Sequence, residues 1–262
     1  MANFANSEKL LRIQDKTFGM YDESYFEQSL DNKKYEVEYA AMTCPNNELW
    51  LHGYLKISAQ DKSIAERQIE VLMVRFGIDK YHSFFKGSFL VKNDLFRTPV
   101  EWSYSTKVAK SIEGEAFKNT YQEGQSFFRN GKIERNIMGH KREISVNGNL
   151  AYKYTIIDAI INTNKFSNEA YQFSIMDEMD ILRSKQIIRP HAEGTCAFEE
   201  RMIDVNMIAH IGHGTIPTVY CKNQYGSIIY IQNGMEVMGR IDTKKKSKGK
   251  LEGIYEELFN YI

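Results

Sequence analysis

Cysteine is scarce in this chain. Cys44, Cys196 and Cys221 are the only three in 262 residues. An odd number at wide spacing excludes a disulfide framework, and no pair has the spacing of zinc ligands. Long apolar runs are also missing. Nothing approaches the ~18 residues that a membrane helix needs. Residues 1–16 are polar and lack the apolar core of a secretion signal, so the expected place of action is a reducing cytoplasm. Proline occurs four times, and no low-complexity linker or internal repeat divides the chain, so residues 1–262 read as one domain. Net charge is absent as well, because 34 basic residues balance 34 acidic ones. A nucleic-acid binder usually carries a basic excess, and this chain has none. Zero net charge removes the long-range repulsion that keeps copies apart, which favours association.

What the chain has in quantity is aromatic surface, with 16 tyrosines and 15 phenylalanines. Tyrosine supplies rigid contact area with a polar tip, which suits contacts between proteins; a tyrosine-rich β core explains it equally well. Alternation of apolar and polar residues predicts strands over 35–42, 49–57, 88–92, 100–105, 125–129, 141–146, 149–157, 202–209, 218–221, 227–232 and 235–240. Cys44-Pro45-Asn46-Asn47, Asn147-Gly148 and Asn233-Gly234 carry hairpin-turn chemistry. Helices are expected over 7–17, 63–76, 176–188 and 251–261. The second has an S-x-x-E capping box at Ser63 and Glu66, an apolar stripe through Ile64, Ile69, Leu72, Met73 and Phe76, and Gly77 at its end. The third stops before Pro190. Strands joined by hairpins with a few helices predict a mainly β fold, an antiparallel β-sandwich with peripheral helices and a protruding N-terminal helix.

Catalytic signatures are few. There is no phosphate-binding glycine loop and no nucleophile elbow. His210 and His213 are three apart, but Gly212 and Gly214 place them in a turn, with His191 and Glu200 as remote further ligands. The acidic pairs Asp177-Glu178 and Glu199-Glu200 read as a solvated face. Trp50-Leu51-His52-Gly53-Tyr54, with Tyr104-Ser105-Thr106-Lys107 later, resembles a viral rolling-circle replication endonuclease. That chemistry needs two histidines flanking one apolar residue on a strand, and Trp50 stands where the first belongs. Tyr104 then reads as an ordinary strand aromatic. The lysine run over 244–250 reads as an exposed loop. No catalytic, cofactor-binding or metal-binding residue is assigned, no cofactor is expected, and the chain reads as a non-enzyme.

Taken in order, several strings resemble the cypovirus polyhedrins, the occlusion-body proteins of insect reoviruses. They are Asp22-Glu23-Ser24-Tyr25-Phe26-Glu27-Gln28-Ser29-Leu30-Asp31-Asn32, then Tyr35-Glu36-Val37-Glu38-Tyr39-Ala40, then Val146-Asn147-Gly148-Asn149-Leu150-Ala151-Tyr152-Lys153-Tyr154. Pro217-Thr218-Val219-Tyr220-Cys221-Lys222-Asn223-Gln224-Tyr225-Gly226 follows, with Asn233 beyond. The resemblance implies an N-terminal helical arm over 1–20, a β-sandwich with inserted helices over 33–262, and a homotrimer packed into a crystal lattice. It implies polyhedra in the host cell cytoplasm that embed virus particles and dissolve at alkaline pH, with no membrane and no specific nucleic acid as partner. Lysine and tyrosine both titrate near pH 10, so at pH ~11 each chain carries a net charge of roughly −30 and neighbouring copies repel. A replication-endonuclease-like viral protein with a degenerate metal site is the alternative.

Overall fold

The computed structural model describes residues 30–43, 50–76, 81–110, 120–178, 181–198 and 201–241. The helices expected over 7–17 and 251–261, the turn over 44–47 and the lysine run over 244–250 lie outside these residues.

Alternation dominates the chain. In 66–76, Ile69, Val71 and Met73 are buried, while Glu70 between them is exposed. A period of two makes this segment a strand, and it corrects the helix expected over 63–76. The Ser63 hydroxyl does accept the backbone N–H groups of Ala65 and Glu66, as a capping serine does, but it caps a tight turn between strands.

Eight strands form the first run: β1 (Lys34–Thr43), β2 (Trp50–Asp61), β3 (Glu66–Phe76), β4 (Tyr81–Lys92), β5 (Pro99–Lys110), β6 (Thr120–Arg129), β7 (Lys132–Ile137) and β8 (His140–Ser145). Each pairs antiparallel with the next. Then come β9 (Leu150–Tyr152), helix α1 (Thr155–Asn162) and a 3₁₀ turn (Lys165–Ser167). A second run follows: β10 (Tyr171–Met176), β11 (Leu182–Phe198), β12 (Arg201–Gly212), β13 (Thr218–Asn223), β14 (Ile228–Asn233) and β15 (Glu236–Ile241). It is antiparallel throughout, and β15 pairs with β1, so both runs join in one 15-stranded sheet. β9 is the one parallel partner, on β10.

A single sheet replaces the two-sheet sandwich that the sequence suggests, and among the described residues α1 is the one α-helix. Where a helix was expected over 176–188, Met176 ends β10 and residues 182–188 begin β11; Pro190 sits in β11 at a register shift, where a bulge removes the need for its missing N–H. Asn147-Gly148 does not close a hairpin, because β8 and β9 lie at opposite ends of the strand order. The expected strand over 149–157 stops at Tyr152.

The sheet rolls up around its own helix. Tyr152 of β9 packs its ring 4.5 Å from Phe89 on β4 and 6.2 Å from Trp102 on β5, so one sheet edge lies against the inner face near the other. Gly87, Tyr104 and Gly124 stand in register across β4, β5 and β6. A Cβ at either glycine would meet an aromatic ring at 2.5 Å, so the missing side chains let those rings lie over the backbone. Inside, α1 is buried from Thr155 to Ile161. Its isoleucines favour strands, but a helix rich in them is stable where protein surrounds it. Tyr35, Tyr39, Tyr54, Tyr104, Tyr152, Tyr154, Tyr220 and Tyr230 are all buried, so the chain's own core accounts for much of its tyrosine.

Candidate functional site

The two ends of the roll differ. One, the closed end, carries the connections over 62–65, 93–98 and 224–227. The other, the mouth, carries residues 177–178 and 181 and the connections over 213–217 and 234–235.

At the closed end, charges fasten α1. Asp158 is fully buried and receives Arg67 Nε at 3.0 Å and Arg97 Nε at 2.6 Å, while Tyr35 Oη donates to it as well. Burial, and then the Asp158 carboxylate, push the Tyr35 hydroxyl well above its usual range. Arg97 adopts a left-handed backbone conformation, φ +51°, and is held there by Asp158, the Asn93 side chain and the Asp94 carbonyl. The helix C-terminus leaves carbonyls without intrahelical partners. Lys222 Nζ donates to Ile160 O at 2.8 Å, Thr163 O at 2.9 Å and Asn164 Oδ1 at 3.0 Å. Burial pulls its ammonium down to about 8.

At the mouth the helix stops short of filling the roll. A cavity of about 220 Å³ lies between the start of α1 and strands β2, β10 and β12–β15. Leu55, Ile157, Ile175, Tyr220, Ile231 and Met238 supply apolar wall, and His210, Thr218 and Asn233 add polar groups. His210 is buried, which lowers its imidazole to about 4 and keeps it neutral near pH 7. Around the opening, Glu178 accepts Arg75 Nη1, Lys153 Nζ at 2.7 Å and Tyr154 Oη. Burial works to raise the Glu178 carboxyl, but the Lys153 ammonium and the Arg75 guanidinium outweigh it and hold it down at about 2. Asp177 pairs with Arg183 at 3.1 Å. These two acids are therefore ion-paired rim groups rather than the solvated face expected from their adjacency. Exposed apolar side chains stand at the same end: Ile181, Ile216 at 62% and Met235 at 85% exposure.

A larger concavity, about 800 Å³, lies on the outer face over β4–β7. Lys86, Ser103, Ser105, Glu123 and Gln125 line it, and it lacks the apolar body that small-molecule sites have.

The other residues weighed from sequence do not converge. His52 lies on β2 and Tyr104 on β5, three inter-strand spacings apart, about 14 Å. Tyr104 stacks on Phe85 and accepts Gln122 Nε2 at 3.1 Å, as a strand aromatic. His210 points inward, whereas His213 and His191 are exposed. Glu199 and Glu200 lie outside the described residues. Among the described residues no group of three His, Cys, Asp or Glu side chains could hold a metal ion, and no helix is long and apolar enough to cross a membrane. Cys221 is buried and outside any disulfide. Sequence reasoning missed the cavity, since its walls come from the helix and several separate strands. The structure places His210 on strand β12, not in the turn expected for the His210 and His213 pair, and no local signal marked the cavity.

No protein-family model and no curated protein matches the chain. Among solved structures it is similar to a beta-barrel-like protein of domain of unknown function DUF1849 from Brucella abortus. The TM-score is 0.53 at 9% sequence identity, over 80% of this chain and 96% of that one. At that identity the likeness concerns the fold.

Proposed function

We propose that this protein is a non-enzymatic binding module that takes a small, mostly apolar molecule into the mouth of its rolled sheet. The observation that carries this reading is the 220 Å³ cavity between α1 and the sheet, with apolar walls and a few polar groups. An apolar cavity of about 150 Å³ is enough to hold benzene. Ile216 and Met235, exposed at the same end, give a passing apolar molecule a first contact. The test is a toluene titration of the intact chain, followed by methyl NMR. Saturable shifts at Ile157, Ile175, Ile231 and Met238 are expected. Shifts confined to surface methyl groups would remove the reading.

Self-assembly is a second reading, of the occlusion-body kind that the polyhedrin resemblance implies. It is favoured by zero net charge together with apolar side chains exposed at both ends, Ile64 at 97% and Met235 at 85%. Under this reading copies stack end to end. Light scattering should show concentration-dependent growth that Ile64→Lys with Met235→Lys abolishes; a monomer at every concentration would exclude it.

A further inference from the structure

We infer that His210 is the specificity-determining group of the cavity, a fixed hydrogen-bond acceptor that selects apolar molecules carrying one hydroxyl or N–H donor. The inference rests on the binding reading above and names the ligand chemistry.

It begins with Gln186, which is fully buried beside the turn over 213–217. Its Nε2 donates to Ser184 O at 2.8 Å and to His213 O at 3.1 Å. Backbone carbonyls only accept, so these two bonds fix which end of the amide is nitrogen. Gln186 Oε1 must then face the other way, where it lies 3.0 Å from His210 Nε2 and receives Thr215 Oγ1 at 2.9 Å. An amide oxygen cannot donate, so His210 Nε2 carries the hydrogen. In a neutral imidazole the other nitrogen, Nδ1, is then a lone-pair acceptor.

The seat of this amide is built for it. A Cβ at Gly212 would strike Gln186 Oε1 at 2.1 Å, so glycine there makes room for the side chain. The Phe173 ring on β10, two strands away in the sheet, lies 5.2 Å from the imidazole and packs against it. Burial disfavours the imidazolium, so the tautomer persists near neutral pH. His210 lines the cavity, and the hydrogen bond that the described residues give its ring is at Nε2. Nδ1 is the nitrogen left for an occupant. A pure hydrocarbon would leave that acceptor buried and unsatisfied; a ligand with a donor satisfies it. An anion gains no hydrogen bond from this ring, which offers it no proton.

Phenol and toluene test this, since they match in size and differ by one donor. Both are titrated into the intact chain, with affinities from methyl NMR and with ¹⁵N-imidazole spectra of His210. Expected is an Nε2–H tautomer before addition, an Nδ1 resonance that moves with phenol and stays with toluene, and saturable binding of both. His210→Phe should shift the ratio of phenol to toluene affinity about tenfold toward toluene. The ¹⁵N measurement uses the unaltered protein, so it stands even where that variant folds poorly. An Nδ1–H tautomer, an Nδ1 resonance indifferent to phenol, or an unchanged affinity ratio overturns the role of His210 while toluene binding leaves the cavity reading intact. If neither compound binds, the cavity reading falls and the inference with it.

Discussion

The closed end and the mouth of the roll both gather charged side chains, yet they do opposite things with them. At the closed end, Asp158 is fully buried between Arg67 and Arg97, and Lys222 fills the helix terminus. Each of these groups is hydrogen-bonded inside the fold. At the mouth, Glu178 and Arg75 keep 20% and 25% of their side-chain surface, and beyond them lies a cavity. A buried pair is costly to break, because the survivor is stranded away from water. A pair that keeps a fifth to a quarter of its surface in water can trade part of its partnership for solvent. The closed end therefore holds the fold, and the mouth has latitude to accept a guest.

The sharpest way to break this contrast is at Asp158. Asp158→Ala leaves Arg67 and Arg97 buried without their shared carboxylate and should cost about 3–5 kcal/mol in urea unfolding. A loss below about 1 kcal/mol would show that the network is incidental.

Alkaline titration comes next in size. The Lys222 ammonium is pulled down to about 8 in the fold and ionises near 10.4 when unfolded. Between those values the unfolded chain holds more protons, so stability should rise with pH. The buried Tyr35 and Tyr154 hydroxyls are pushed above their usual range, so above about pH 10 the unfolded chain loses protons first and stability should fall. Thermal melts should thus peak near pH 10, and Lys222→Met should remove the rise while keeping the fall. A flat profile from pH 8 to 10 in the unmodified protein would contradict the burial of that ammonium.

At the mouth the effect should be smallest. Glu178→Gln keeps the shape, and Arg75 retains Glu236, so the expected cost at pH 7 is about 1–3 kcal/mol. Glu178 sits at about 2 in the fold and near 4.3 unfolded, so its contribution is present above pH 4.3 and fades as pH falls toward 2. Acid unfolding curves of the two proteins should converge over that window. A cost as large as that of Asp158→Ala would erase the difference between the ends.

Local pattern located most strands, including β1, β2, β5 and β12–β15, because a half-buried strand writes its period of two into adjacent residues. The misreadings have physical causes. Residues 63–76 satisfy a helical stripe and a strand alternation at once, and Ser63 can cap either a helix or a turn. The isoleucines of 155–161 look like a strand until the sheet encloses them. The mouth was not legible: His210 read as one of two histidines in a turn, and Gln186, 24 residues earlier, gave no sign of being its partner.

From residue order alone came a mainly β chain, its hairpin at Asn233-Gly234 and its aromatic, charge-neutral character. Only the tertiary structure decided that there is one rolled sheet instead of two, that α1 fills one end, and that a cavity remains at the other. The reason is distance along the chain. β1 pairs with β15, Asp158 meets Arg67, and Lys222 meets α1 across separations that no local pattern encodes.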